Sequence, residues 1–185
     1  MHTPAHAVLN LCLLDRVPGA RAWTLAGALV PDLPMFGFYA WASGVEGMSQ
    51  MQIWGEAYFR PEWQLFFDLF NSIPLALVGL GAALLARHSG WRLFFGSVLL
   101  HCVADLGLHH DDGHRHFLPL SSFRFESPVS YWDPRYHGDW GAGGEALLVM
   151  GSSIYLWPRV PVAGRAALAL VCALYLAAQL WLRLA

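Results

Sequence analysis

His101, Asp105 and His109 stand four residues apart in LLHCVADLGLHH. On a helix this spacing sets an imidazole, a carboxylate and a second imidazole along one face. Neutral imidazole and carboxylate are the usual donors to zinc and related divalent ions, and HxxxD lets two ligands reach one ion or bridge two. His110, His114 and His116 follow at once, so five histidines fall within residues 101–116. Asp32 lies in the apolar run VPDLP, Asp68 and Asn71 lie in another, Glu145 opens a third, and His6 belongs to the short stretch AHAVLNLCLL. An ionisable group near a bilayer centre costs at least ~2.5–3.5 kcal/mol on insertion scales, so each of these needs a partner, a wet cavity or a metal.

The elements that must position them are apolar helices. Of 185 residues 56% are hydrophobic and 13% charged, about half the charge usual in a soluble domain. All 11 basic residues are arginine, against 13 acidic ones, for a formal charge of -2; no nucleic-acid-binding surface is implied. Cys12, Cys102 and Cys172 are scattered through apolar runs and read as small buried side chains. The fold class expected is all-α, a polytopic membrane helix bundle forming one integral membrane domain over residues 1–185. Five transmembrane helices are expected, at Ala22–Ala42, Trp63–Ala86, Trp91–Leu108, Gly141–Trp157 and Gly164–Leu182, each about long enough for a ~30 Å hydrocarbon layer. Trp23, Trp63, Trp91, Trp157 and Trp181 mark their ends, where an indole can face both lipid and water.

Thr3–Leu14, with Thr3 as cap and Pro4 in the first turn, is too short to span and reads as a half-inserted helix. It does not read as a signal peptide, since Arg16 and Arg21 follow the apolar stretch. His110–Trp140 is one long polar outer loop, and its seven aromatics argue for a lid packed over the helices. Arg16, Arg21, Arg87, Arg92, Arg159 and Arg165 fall in the short connections, which places these in the cytoplasm and the long loop opposite. At ~1.5 Å per residue, Asp32 lies ten residues from Ala22, His101 ten from Trp91 and His6 nine from Asp15, so all three share a depth. Asp68, Asn71, Asp105 and His109 rise from that layer toward the outer face.

Other readings stand beside these. Asp32 between Pro31 and Pro34 could cap a half-helix, Asp68 and Asn71 could bond neighbouring helices, His6 could be a satisfied core histidine, and Glu145 could be an exposed helix-start carboxylate. His2 and His88 read as surface residues. The conjunction of several acids in one half of the membrane is what calls for a cation, and few embedded arginines can supply it.

TPAHAVLN, GALVPDLP and HCVADLGLHHDDGHRHFLPLSSFRFESPVSYWDPRYHG together resemble a family of small bacterial inner-membrane metal-dependent hydrolases, and more closely a set of proteobacterial membrane proteins labelled as cobalamin-biosynthesis proteins. The resemblance covers most of residues 1–145. It implies metal ligands at His6, Asp32, His101 and Asp105. The order is similar, more distantly, to the zinc-dependent phospholipase C pattern. Two departures stand out: the HRGxTHS-like segment of the hydrolases is missing, Asp68 and Asn71 being the nearest polar residues, and the terminal HxxxE of the phospholipases is missing, His137 and Glu145 being eight apart. Both departures weigh against a full multinuclear site.

The function expected is a zinc-dependent hydrolase acting on a lipid or lipid-linked phosphoester at the periplasmic side of the bacterial inner membrane. His6, Asp32, His101 and Asp105, completed by His109 or His110, would hold an ion that makes hydroxide available near neutral pH. Arg115, Arg124 or Arg135 would grip the phosphate, Asp112 or Glu126 would act as general base, and Asp68, Asn71, His114, His116, His137 and Glu145 would support the site. The alternative is a non-catalytic scaffold or accessory subunit with a structural His/Asp site and a membrane-protein partner. Transport comes last, because Arg92 and Ser97 are the only ionisable or hydroxyl side chains between Trp91 and Leu100.

Overall fold

A computed structural model describes residues 1–15 and 21–184, with side chains through residue 180. The described residues are helical or irregular, without strands. Arg16 lies outside them.

Helix α1 (Thr3–Leu14) starts as expected, with Pro4 in its first turn, but its cap position is His2, and Thr3 is the first helical residue. The first expected span is broken. α2 (Arg21–Leu29) runs into a 3-10 turn at Val30–Asp32, and α3 (Leu33–Gly44) leaves it. Pro31 and Pro34 each lack an N–H and clash with the preceding turn, so a continuous helix cannot pass this point. The Pro31 carbonyl freed by the break accepts Asn71 Nδ2 at 3.2 Å. A short helix α4 (Gln50–Gln52), closed by a Ser49/Gln52 capping box, leads through a π turn to α5 (Pro61–Phe70). Phe38, Ile53, Tyr58 and Phe67 pack as a hydrophobic core at this end, with Trp41 and Trp63 against it.

The chain leaves helix at Asn71 and Ser72, whose hydroxyl accepts the Leu75 N–H at 3.1 Å to start α6 (Ile73–Leu85). α7 (Ser89–Leu106) packs on α1, α2 and α6, while α1 also meets α8 (Gly138–Leu156), and α9 (Val162–Leu184) lies on α8.

Among the described residues two helical stretches are long and apolar enough to cross a membrane, Pro61–Leu85 and Val162–Leu180, in place of the five expected. The first includes the Asn71–Ser72 break. The other three fail for local reasons: the prolines divide Ala22–Ala42, His101, Asp105 and Arg92 dilute α7, and α8 carries Asp139, Glu145, Ser152, Ser153 and five glycines. Only 6% of the Val162–Leu180 window is buried, so its apolar side chains face outward.

The loop after α7 is held down by Tyr131 N–H to the Leu108 carbonyl (2.9 Å), Ser127 N–H to that of His109 (3.0 Å) and Ile73 N–H to that of His116 (2.9 Å). Its aromatics do not all pack inward as expected: Phe123, Phe125, Trp132 and Trp140 are exposed.

Candidate metal centre

His6 on α1 and His101 and Asp105 on α7 meet in the interior, 0%, 0% and 2% exposed. One donor atom from each lies within 4.8 Å of the others, so the group can hold a metal ion. His6 Nε2 is 3.0 Å from Asp105 Oδ1, His101 Nε2 is 3.0 Å from Asp105 Oδ2, and the two imidazoles stack with ring centres 3.6 Å apart. Asp32, placed at the α2–α3 junction by the proline break, brings Oδ1 to 3.5 Å from His101 Nε2. Its Oδ2 accepts the Thr3 hydroxyl at 2.5 Å.

The donors are set up by their neighbours. His101 Nδ1 is 2.8 Å from the Ala28 carbonyl; a carbonyl can only accept, so Nδ1 carries the proton and Nε2 of the neutral ring keeps its lone pair. That Nε2, like His6 Nδ1, is buried without a hydrogen-bond partner despite its nearness to two carboxylates. Gly27 makes this possible. A Cβ there would stand 2.2 Å from the Phe94 carbonyl oxygen and 2.8 Å from Ser97 Cβ, so only glycine lets α2 come near enough to present the next residue's carbonyl to His101. Ser97 adds a second tie, its hydroxyl donating to the Thr24 carbonyl at 2.7 Å and accepting from Asn10 Nδ2 at 2.9 Å.

Charge favours a cation. Asp32 and Asp105 are two buried carboxylates, and the Met1 amine, 2.7 Å from Asp105 Oδ1 and 3.0 Å from His109 Nε2, is one positive charge. Uncompensated buried charge is strongly unfavourable; the one negative charge left over is met by a proton on His101, whose imidazole the two carboxylates raise against burial to about 10, or by a bound cation that displaces that proton.

His109 adjoins the group without joining its core: Nε2 is 3.3 Å from Asp105 Oδ1, and Nδ1 is 3.1 Å from Asp112 Oδ1. Asp112 Oδ2 accepts the Trp132 indole N–H at 2.8 Å. Partial burial opposes ionisation of Asp112, but His109 and Trp132 outweigh it and hold the carboxyl below the usual range. His110, expected as a ligand, is occupied elsewhere, with Nδ1 2.7 Å from the Ser127 carbonyl and its ring stacked on Tyr136. Glu126 is exposed and makes no ion pair among the described residues.

The arginines expected to hold phosphate have other partners. Arg115 binds Asp68 (2.5 Å), Arg124 donates to Gln64 Oε1 (2.9 Å), and Arg135 pairs with Asp133 (2.6 Å) and Asp111 (3.7 Å). Asp68 and Asn71 form a separate buried group with His114 and His116 instead of entering the triad. Burial pushes the His116 imidazole down to about 4. His137 is exposed at a left-handed turn (φ 59°). Glu145 is 2% exposed, not a free helix-start carboxylate; Oε1 accepts the His2 N–H (3.1 Å) and the Tyr175 hydroxyl and lies 2.8 Å from His2 Nδ1.

Sequence reasoning missed Thr3, His2, Ala28 and Gly27. Thr3 is three residues before His6 and so shares its helix face, the one signal available; a carbonyl and a glycine leave none. No protein-family model, no curated protein and no solved structure matches the chain.

Proposed function

We propose that the chain is a zinc-dependent hydrolase of the bacterial inner membrane, acting on a lipid or lipid-linked phosphoester on the periplasmic side. The observation that carries the reading is the His6–His101–Asp105 group with His101 Nε2 left unpartnered and Asp32 held 3.5 Å away by Thr3. Three close donors and a fourth held back match a zinc site with one open position better than a closed structural one. The N/N/O donor set suits zinc among the available divalent ions. The sequence resemblance supplies the reaction class, and the apolar Val162–Leu180 helix supports a lipid setting.

His6, His101 and Asp105 would hold the zinc, which when bound would supply a Lewis acid for a phosphoryl oxygen and hydroxide near neutral pH. The chain's own residues set up the rest. Ala28 orients His101 and Thr3 orients Asp32. Asp112, held ionised beside His109 and Trp132, is the proposed general base.

A second reading has its own observation. The triad is enclosed, and two surface grooves lined by α8 and α9 include none of its residues. This favours a scaffold with a structural metal, bound to a membrane-protein partner.

The test is to load the purified chain with zinc in vesicles of phosphatidylethanolamine and phosphatidylglycerol and follow release of diacylglycerol or phosphomonoester by mass spectrometry. Hydrolysis that falls at least ~100-fold in His101→Ala supports the enzyme, a loss in the range seen for removal of catalytic groups. A chain that holds stoichiometric zinc without turnover supports the scaffold.

A further inference from the structure

We propose a second cation seat beside the triad, made by Asp68 and Asn71 at the end of α5 and by His114 and His116 of the long loop. It stands independently of the hydrolytic reading. Asp68 and Asn71 are three residues apart and share a helix face. His114 and His116 flank Arg115, whose backbone N–H donates to Asp68 Oδ1 at 3.0 Å and whose guanidinium takes Oδ2 at 2.5 Å. That two-point grip pins the loop on α5 and leaves the second lone pair of Oδ1 free.

The four residues are 0%, 1%, 8% and 1% exposed in the order Asp68, Asn71, His114, His116. His114 Nδ1 lies 3.3 Å from Asp68 Oδ1 outside hydrogen-bonding geometry. His116 Nδ1 donates to the Asn71 carbonyl at 2.8 Å, so the lone pair of the neutral ring is on Nε2, and Nε2 has no partner. Asn71 spends its amide N–H groups on the Pro31 and Phe67 carbonyls, and its Oδ1 is buried without a donor.

Three buried polar atoms in one group thus lack partners, where native interiors rarely leave even one. A single water serves all three atoms only if His114 Nδ1 carries its ring proton; in the Nε2–H tautomer Nδ1 offers a third lone pair, and a cation takes it with the other donors together. Two imidazole nitrogens, a carboxylate oxygen and an amide oxygen suit zinc or a neighbouring first-row ion, not an all-oxygen calcium site. The His114 and His116 ring centres are 5.9 Å apart, and two imidazoles on one ion at ~2.0–2.1 Å per bond have centres about 5–6 Å apart. Among the described residues only the His6 group has three imidazole or carboxylate donors within 4.8 Å of one another, so binding at the second seat requires its side chains to draw together.

The experiment is zinc stoichiometry by elemental analysis of the full chain in detergent, after zinc loading and passage over a chelating resin. The expected values are about two per chain for wild type and about one for each of His114→Ala, His116→Ala and His101→Ala. A wild-type value of one that survives His114→Ala and His116→Ala but is lost in His101→Ala overturns the second seat and leaves the first. A value of one with the opposite pattern establishes the second and removes the first. Zero overturns both. Should the alanine variants fail to fold, cobalt titration of the wild type decides: d–d absorbance that saturates at two equivalents supports the seat, and saturation at one or none overturns it.

Discussion

Gly27→Ala tests how the fold sets up the metal group without touching a ligand. The new Cβ would lie 2.2 Å from the Phe94 carbonyl oxygen, where carbon and carbonyl oxygen ordinarily come no nearer than about 3.3 Å. Because the obstacle is backbone, α2 must retreat from α7 by about 1 Å. The Ala28 carbonyl rides on α2, so its 2.8 Å contact with His101 Nδ1 opens to about 3.8 Å, beyond hydrogen bonding. His101 then loses the partner that fixes its tautomer. Loss of such an outer partner costs ~10–100-fold in metal affinity, about 1.4–2.7 kcal/mol, and the forced overpacking destabilises the fold by about 1–3 kcal/mol more. The assay is zinc competition against a chromophoric chelator, with thermal unfolding followed in parallel with and without EDTA. A folded variant that binds zinc within twofold of wild type would refute the claim that this helix contact prepares the ligand.

Other perturbations act at separate points. Thr3→Val removes the hydroxyl that holds Asp32 and is expected to lower stability by about 1.5–3 kcal/mol, as for a hydrogen bond to a charged group, read by thermal unfolding without metal; an unchanged midpoint contradicts it. Asp105→Asn removes the carboxylate common to both imidazoles and should abolish the rise in melting temperature that zinc gives the wild type; a variant still stabilised by zinc argues against Asp105 as a ligand. Protons compete with metal for imidazole; burial lowers the His101 imidazole, but Asp105 and Asp32 outweigh it and raise it to about 10, so zinc affinity is expected to rise steadily from pH 5 to pH 8 without levelling off. An affinity flat from pH 5 to 8 excludes histidine ligation. Because Val162–Leu180 turns its apolar face outward, the chain should stay with the membrane pellet through an alkaline carbonate wash, and release into the supernatant would remove the lipid setting.

The meeting of His6, Asp32 and His101 was legible because helical rise converts residue counts into depth, and each lies nine or ten residues from an expected helix boundary, while Asp105 followed from its place one turn after His101. The membrane count was not. Apolar windows register side-chain composition, whereas helix continuity is a backbone property, and Pro31, Pro34 and the Asn71–Ser72 turn interrupt what hydropathy joins. Asp68 was visible as a polar residue in an apolar run, but its partners come 46 and 47 positions later, and only the folded loop shows that Arg115 is its counter-ion. The same holds for Arg135, whose carboxylates are two and 24 residues away. The role of Glu145 depended on His2 and Tyr175, at opposite ends of the chain. Density of histidine in the loop was evident, but not which rings point inward: His114 and His116 do, while His110 stacks on Tyr136.

The central claim is that a metal ion sits among His6, His101 and Asp105. Crystals of the zinc-loaded chain, measured just above and just below the zinc absorption edge, test it most directly. The account predicts an anomalous peak within ~2.0–2.2 Å of one donor atom from each of the three residues. A well-ordered site with no peak there, its imidazoles and carboxylates hydrogen-bonded to one another instead, would contradict it.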